Sequence, residues 1–337
     1  MIKDTIARLV ARENISRDDA YRTMLEIMNG EATESQIAGF LVALRMKGET
    51  VDEIVGGAMA MREKADKLRI DKDIILDTCG TGGDSAGTFN ISTGAALVAS
   101  AAGATVAKHG GRAVSSKSGS ADVLKALGLN LDGLDIVKTE KALKEIGIAF
   151  LFAPLHHKSM RFAAPVRRDL GVRTLFNLLG PLTNPAGANR QLIGVYAKTL
   201  VEPIAEVLRE LGSQAALVVH GEPTMDEISL CGKTLVAELK LGKISSYEIA
   251  PEDFGLERVK LEELVVRNQD EAVEALMAAI RGQDSPFYNA VLLNAGAAIY
   301  VAGLEKDIRS GIERARVVIS KSLAEQKLRS LIKITGA

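Results

Sequence analysis

The sequence predicts an α/β protein in which a run of helices precedes a larger portion built on a mostly parallel sheet. Residues 1 to about 66 show only helical periodicity. Beyond residue 70, short apolar runs of strand length alternate with helical patterns, the signature of strand–helix–strand units. The length of 337 residues fits about two domains at roughly 150 residues each.

In the first portion, Ile6, Leu9 and Val10 recur at helical spacing, as do Tyr21, Met24, Leu25 and Met28. Ser16 ahead of Arg17-Asp18-Asp19 is an N-cap, and Gly30 stops that helix. Thr33 with Gln36 forms a capping box that opens a helix from 34 to about 47, and Thr50 caps another that runs to about 67. No strand is expected here. Ile74-Ile75-Leu76 then reads as a buried parallel strand ending at Gly80. A glycine-rich loop, a helix over about 90–102 and a second strand at 104–107 follow. A loop over 108–119 leads into a helix at 121–127. Later strands are expected at 149–152, 191–196 and 216–220, and 169–179 reads as a helical insertion flanked by Pro165, Pro181 and Pro185.

Composition excludes several classes. Forty-two Lys and Arg balance 43 Asp and Glu, a net charge of -1, without the basic excess of a nucleic-acid coat. Aromatic residues are 4% and Trp is absent, which argues against a base-stacking platform. Cys79 and Cys231 make neither a disulfide framework nor a zinc cage and suit a reducing compartment. The opening Met-Ile-Lys-Asp-Thr enters a charged amphipathic pattern without a signal peptide. The uncharged stretches 85–107 and 285–304 have membrane-spanning length. The first is too polar for hydrocarbon, and the second, with Pro286, Asn289 and Asn294, reads as a buried helix. The expectation is a cytoplasmic protein with no membrane or nucleic-acid partner.

Four segments carry chemistry. The run from Asp77 to Thr93 brings Gly80, Gly82, Gly83 and Gly87 from a strand into a helix start. Glycine lets backbone N–H groups approach an anion, and the helix N-terminus adds unpaired donors. Phosphate or pyrophosphate is the natural ligand. Two familiar motifs fail: Ser85 replaces the third glycine of a dinucleotide fingerprint, and Ser116 the second glycine of a P-loop. The second segment, Lys108 to Ser120, holds Lys108, Arg112 and Lys117 with four serines and faces the same crevice at the strand ends. In the third, Asp226-Glu227 follows an apolar strand. Such a pair stays solvated or binds a cation, and magnesium takes one or two carboxylates plus phosphate oxygens. The fourth runs from Pro154 to Pro185. Its His156-His157 pair lacks a third metal ligand at suitable spacing, while Arg167 and Arg168 suit an organic carboxylate.

In combination these segments resemble the anthranilate phosphoribosyltransferase family of the tryptophan pathway. The likeness spans nearly the whole chain. It runs through Gly180-Pro181-Leu182-Thr183-Asn184-Pro185 to Met225-Asp226-Glu227, and Gly80-Thr81-Gly82-Gly83-Asp84 with Asn90-Ile91-Ser92-Thr93 and the Lys108-His109-Gly110 loop are specific in combination. The resemblance implies transfer of phosphoribose from 5-phosphoribosyl 1-pyrophosphate (PRPP) to the amine of anthranilate, giving N-(5-phosphoribosyl)anthranilate and pyrophosphate, with Mg2+ as cofactor, in a homodimer. The implied fold is of the nucleoside phosphorylase/phosphoribosyltransferase kind. A small helical domain (1–70 plus about 160–185) is hinged to an α/β PRPP-binding domain (71–159 plus 186–337).

By that likeness PRPP is held by Gly80, Gly82, Gly83, Asp84, Thr88, Asn90, Ile91, Ser92, Thr93, Lys108, His109, Gly110, Gly111, Arg112, Ala113, Val114, Ser115, Ser116 and Ser120. Anthranilate meets Gly80, His109, Gly111, His157 and Arg167, and Mg2+ meets Ser92, Asp226 and Glu227. No residue serves as acid or base; Lys108 and Arg167 position the substrates. The family's usual Asn at position 111 is Gly here, which either weakens anthranilate binding or marks another aromatic acceptor. A related phosphoribosyltransferase, a nucleoside phosphorylase of related fold and a non-catalytic nucleic-acid binder are the competing readings.

Overall fold

The computed structural model describes residues 1–112 and 118–336. It opens with four helices, α1 (Ile2–Val10), α2 (Arg17–Met28), α3 (Glu34–Lys47) and α4 (Val51–Lys64). Each of α2, α3 and α4 starts at a reciprocal capping box: Ser16 with Asp19, Thr33 with Gln36 and Thr50 with Glu53. The expected stripe of α1 is narrower than its spacing suggests, because Ile2, Thr5 and Leu9 are buried while Val10 is 69% exposed. Glu53 does more than cap. Fully buried, it accepts from Ile15 N at 3.0 Å and Thr50 N at 2.7 Å, and pairs with Lys47 at 2.9 Å.

Five parallel strands follow: β1 (Leu76–Gly80), β2 (Val106–Gly110), β3 (Ile148–Phe152), β4 (Arg190–Gly194) and β5 (Ala215–Gly221). A hairpin of β6 (Thr234–Lys240) and β7 (Lys243–Ile249) adds antiparallel to β5, so the order is β3-β2-β1-β4-β5-β6-β7. Strand order reverses between β1 and β4, whose last residues Gly80 and Gly194 lie opposite each other. A ligand crevice in an open α/β sheet forms at such a reversal, outside the carboxyl ends.

Successive side chains serve opposite faces, as a pleated strand requires. Leu192, Leu217 and Val219 join a core with α5 (Ile91–Ala101), α6 (Ser120–Ala126) and α7 (Ile136–Ile146). Ile193, Ala216 and Val218 join α1–α4 in the other core. On that second face lie the short α8 (Ala153–His156), then α9 (Ala164–Leu170), α10 (Leu175–Leu182) and α11 (Val201–Glu210). The chain ends in α12 (Gln269–Ile280), α13 (Pro286–Val301), α14 (Ile308–Ser320) and α15 (Leu323–Thr335), back on the first face. From Ala290 to Ile299 every residue of α13 is buried, as its uncharged sequence suggests. Among the described residues no helix is long and apolar enough to cross a membrane.

Three expectations are corrected. The first strand begins later than its apolar run but ends at Gly80 as expected, and the second begins and ends later: Ile74 is 39% exposed, and Lys108, His109 and Gly110 are strand residues rather than loop. Ladder pairing with β3 holds these residues in extended backbone. The helical insertion is two helices, because Gly171 takes a left-handed φ of 61° that ends α9. The hairpin of β6 and β7 is not among the expected elements: its strands carry Glu238, Lys240, Lys243 and Glu248 and show neither the continuous apolar run of the buried parallel strands nor a strict alternation.

Replacing Glu53 by Ala strands Lys47 and two backbone N–H groups in the helical core. A loss of about 3–5 kcal/mol in unfolding free energy is expected, checked by urea denaturation of the intact chain.

Candidate active site

The site is built on the sheet's reversal. The loop after β5 carries Asp226 back across the ends of β1 and β4, and a Cβ on Gly80 or Gly194 would overlap it: at Gly80 the Asp226 carboxylate, at Gly194 the Asp226 carbonyl. Only glycine at both strand ends admits this crossing. Asp226 Oδ2 then accepts from Gly82 N at 2.7 Å, and Asp226 N donates to Asp84 at 3.4 Å. Thr81 ties the same loop to β4, its N–H donating to Gly194 O at 2.9 Å and its hydroxyl accepting from Tyr196 N at 3.1 Å.

Glu227 reaches the start of α5, where its carboxylate accepts from Ser92 N at 3.2 Å. The helix N-terminus expected to offer free donors to a phosphate is thus partly engaged by this carboxylate. Lys108, 3% exposed, lies between the parts: Nζ donates to Thr78 O and, at 3.2 Å, to Ser92 Oγ. Desolvation and mutual repulsion push the carboxyls of Asp226 and Glu227 well above the usual carboxylate range. Asp84 adds to the repulsion on both, and Lys108 opposes it at Glu227. Three carboxylates meeting one ammonium leave a deficit of positive charge. The donors here are all hard oxygens, which fits Mg2+. Among the described residues no three His, Cys, Asp or Glu side chains could hold an ion alone, so phosphate oxygens or water would complete its shell.

Beneath this lies Asp77, fully buried in β1. Its carboxylate accepts from His109 N at 3.1 Å and Asn184 Nδ2 at 2.8 Å, and burial pushes its pKa up. Asn184 also donates to Ala107 O at 2.8 Å, so one amide fastens the end of the α9–α10 insertion to β1 and β2.

A second pocket edge forms where that insertion covers β2 and β3. His109 Nδ1 donates to Gly180 O at 3.1 Å, and the His157 ring lies 5.1 Å from the His109 ring. Arg167 on α9 is half-buried, stacked over Phe176 at 5.2 Å, and burial lowers its pKa; among the described residues it has no carboxylate partner. His156 instead is structural, donating to Asp66 O at 3.1 Å.

A family model described as the glycosyl transferase family, a/b domain, matches residues 72–325, and one described as its helical bundle domain matches residues 3–65. The anthranilate phosphoribosyltransferase of Cellvibrio japonicus is 50% identical over 338 residues, covering 99% of this chain and 98% of that protein. The chain belongs to the anthranilate phosphoribosyltransferase family. The Thermus thermophilus member superposes with a TM-score of 0.94 at 43% identity, over 99% of this chain and 100% of the other. The Saccharomyces cerevisiae member, solved in complex with PRPP and Mg, gives 0.90 at 28% identity, over 99% and 97%. It has also been solved with 4-fluoroanthranilate.

Of the residues expected from the family pattern, the structure brings Gly80, Gly82, Asp84, Ser92, Lys108, Asp226 and Glu227 into one hydrogen-bonded cluster. Gly110 ends β2 beside it. Thr93 joins Ser120 at 3.1 Å, and Asn90 donates to Ser118 O at 3.1 Å. Thr88 bridges to Val265, and Ile91 turns its side chain into the core. Arg112 is exposed, and among the described residues a Cβ on Gly111 would meet nothing within 4 Å. Ala113, Val114, Ser115 and Ser116 lie outside the described residues. Gly194, Asp77, Asn184 and Arg173 also build the site, although the resemblance assigned none of them a role. Arg173 donates to Gly83 O and stacks over Tyr196 at 4.5 Å, linking the insertion to the glycine loop. A glycine inside an apolar strand and an acid inside another were the available signals.

Burial lowers the pKa of His109 from 6.5 to about 3 and of His157 to about 4. The folded chain therefore binds fewer protons than the unfolded chain between those values and 6.5. Their contribution to stability is full above about 6.5 and is lost as pH falls toward 4 and 3. Urea midpoints across pH 4–7 should decline less steeply toward acid in His157→Gln than in the wild type.

Proposed function

We propose that the chain binds PRPP with Mg2+ at the sheet reversal and transfers its phosphoribosyl group to the amine of anthranilate, releasing pyrophosphate. The carrying observation is the cluster of Asp84, Asp226 and Glu227 around Lys108, beside a glycine loop rich in backbone donors. Ser92, Asp226 and Glu227 would hold the metal, which supplies positive charge to the departing pyrophosphate. Lys108 adds a second positive charge at the same place, and the described loop over 80–93 supplies backbone donors. The sugar carbon gains oxocarbenium character as the bond to pyrophosphate lengthens, as glycosyl centres do.

The aromatic amine needs positioning more than activation. Arg167, lacking a carboxylate partner among the described residues, suits the acceptor's carboxylate by a bidentate grip. Gly111 brings no side chain to the acceptor where the family's usual Asn would, so the acceptor side is less furnished than the donor side. The packing of α9 and α10 on α3 and α4 supports grouping about 160–185 with 1–70 as the unit that moves on closure. The same reading carries a cytoplasmic homodimer, whose mass sedimentation measures. A fluorescence assay following loss of anthranilate, with PRPP against inorganic phosphate plus nucleoside, tests the reaction.

Asp226→Asn combined with Glu227→Gln should lower kcat at subsaturating Mg2+ by at least about a hundredfold, as expected when charged groups at a metal are removed. Unchanged rates would make the pair structural. Arg167→Ala should raise the anthranilate KM by tenfold or more, roughly one charge-assisted hydrogen bond, while the PRPP KM stays within about twofold. Steady-state kinetics with each substrate varied measure the split.

A further inference from the structure

We propose that Arg173, in the turn between α9 and α10, is a positioning residue for the phosphate donor. It sets the Gly83–Asp84 peptide so that the Asp84 N–H is offered to a phosphate of PRPP, without itself touching the substrate. The proposal rests on the donor reading above and extends it to a residue outside the binding pattern.

The glycine loop is gripped at three places. Asp226 takes the Gly82 N–H at 2.7 Å. Farther on, Gly87 O accepts from Val266 N at 3.1 Å, and Phe89 N donates to Leu264 O at 3.1 Å. Between these anchors the hold is Arg173, whose guanidinium donates to Gly83 O. A Cβ on Gly83 would lie 3.1 Å from Arg173 Nε, so the arginine packs directly on the loop. The same guanidinium stands 4.5 Å from the centre of the Tyr196 ring, and Tyr196 N donates to Thr81 Oγ1 at 3.1 Å. Stacking thus stiffens a long side chain against a residue tied to the loop it grips.

The Gly83–Asp84 peptide is trans, and across a trans peptide the carbonyl and the following N–H point in opposite directions. A carbonyl turned to Arg173 therefore turns the Asp84 N–H away from it. The angle φ is positive at Gly83 (76°) and Ser85 (61°) but not at Asp84 between them, an alternation that makes successive N–H groups converge on an anion. Among the described residues the N–H groups of Gly83, Asp84 and Ser85 have no acceptor. The Asp84 carboxylate is engaged elsewhere, accepting from Ala86 N at 3.2 Å and Asp226 N at 3.4 Å. Beside two glycines this peptide plane turns over at little steric cost, and its carbonyl oxygen would then repel the phosphate that its N–H attracts. Arg173 removes that alternative before the donor arrives, and a binding group set in advance loses less freedom on binding.

The test is calorimetric titration of PRPP, with Mg2+ and no acceptor, into the intact chain and into Arg173→Met and Arg173→Gln. The carbon-13 resonance of the Gly83 carbonyl is followed in the ligand-free proteins. A carbonyl that loses its donor shifts upfield, so the resonance should move upfield in Arg173→Met. It should return toward wild type in Arg173→Gln, which keeps an N–H donor without the charge. PRPP should bind Arg173→Met about tenfold more weakly, the worth of one hydrogen bond from a charged group. The urea midpoint should stay near wild type, because the side chain is exposed. Arg173→Gln should recover about threefold of the lost affinity, as a neutral hydrogen bond does.

A Gly83 resonance that does not move in Arg173→Met overturns the proposal. So does a moved resonance with PRPP affinity unchanged within error. Arg173→Gln with the resonance restored and the affinity of Arg173→Met also overturns it, because the substrate would then be meeting the charge rather than the peptide. A wild-type chain that fails to bind PRPP, with the resonance responding as expected, leaves the grip on the peptide standing and overturns the functional reading instead.

Discussion

The carboxylate and the carbonyl of Asp226 lie where side chains at residues 80 and 194 would be, and the site depends on that crossing. Parallel strands ordinarily end in residues that fill the space above the sheet. Here two adjacent strands end in glycine at the point where strand order reverses, and a loop from a third strand takes the vacated volume. The contact brings an acidic pair from residues 226–227 onto a loop and a helix start some 140 positions earlier. At Gly194 the overlap is with backbone, which, unlike a side chain, cannot rotate out of the way, so the constraint there is rigid.

Once the crossing is made, the electrostatics follow. Carboxylates carried into a half-buried crevice lose hydration and repel one another, and one buried lysine does not balance them. Such a site is poised for cationic charge and for a ligand that shares it, which is what a metal–diphosphate complex offers. The edge beneath the α9–α10 insertion is organised by different physics. Neutral imidazoles and a stacked guanidinium there are held by carbonyls and an aromatic ring rather than by opposite charges. Asp77 and Asn184 couple the two sides, since one buried carboxylate grips β2 and the insertion together. The two edges of the site therefore share a foundation although their chemistry differs.

Much of this was legible beforehand because the signals are local. Capping boxes at Thr33 and Thr50, the stop at Gly30 and the apolar run of α13 depend on neighbours within a few residues, and the helices appear where expected. The glycine loop, Lys108 and the acidic pair stood out because such residue types rarely follow apolar strands without reason. Strand ends were less legible. Lys108 and His109 are polar residues kept extended by pairing with a strand distant in the chain, which no local pattern reports. Arg173 and Gly194 escaped notice for the same reason: their partners, Gly83 and Asp226, are remote in sequence.

The order of residues by itself determined the helix starts, the strand–helix alternation and the inventory of anion-seeking and acidic groups, since these follow from spacing, capping and side-chain chemistry along a short stretch. Tertiary structure alone decided which groups meet. Ser92 beside Glu227, Gly82 under Asp226 and His157 against His109 are set by the strand order and by close backbone approach at two glycines. Those are long-range packing choices, made by burying two sheet faces at once, and they leave no periodic trace in the chain.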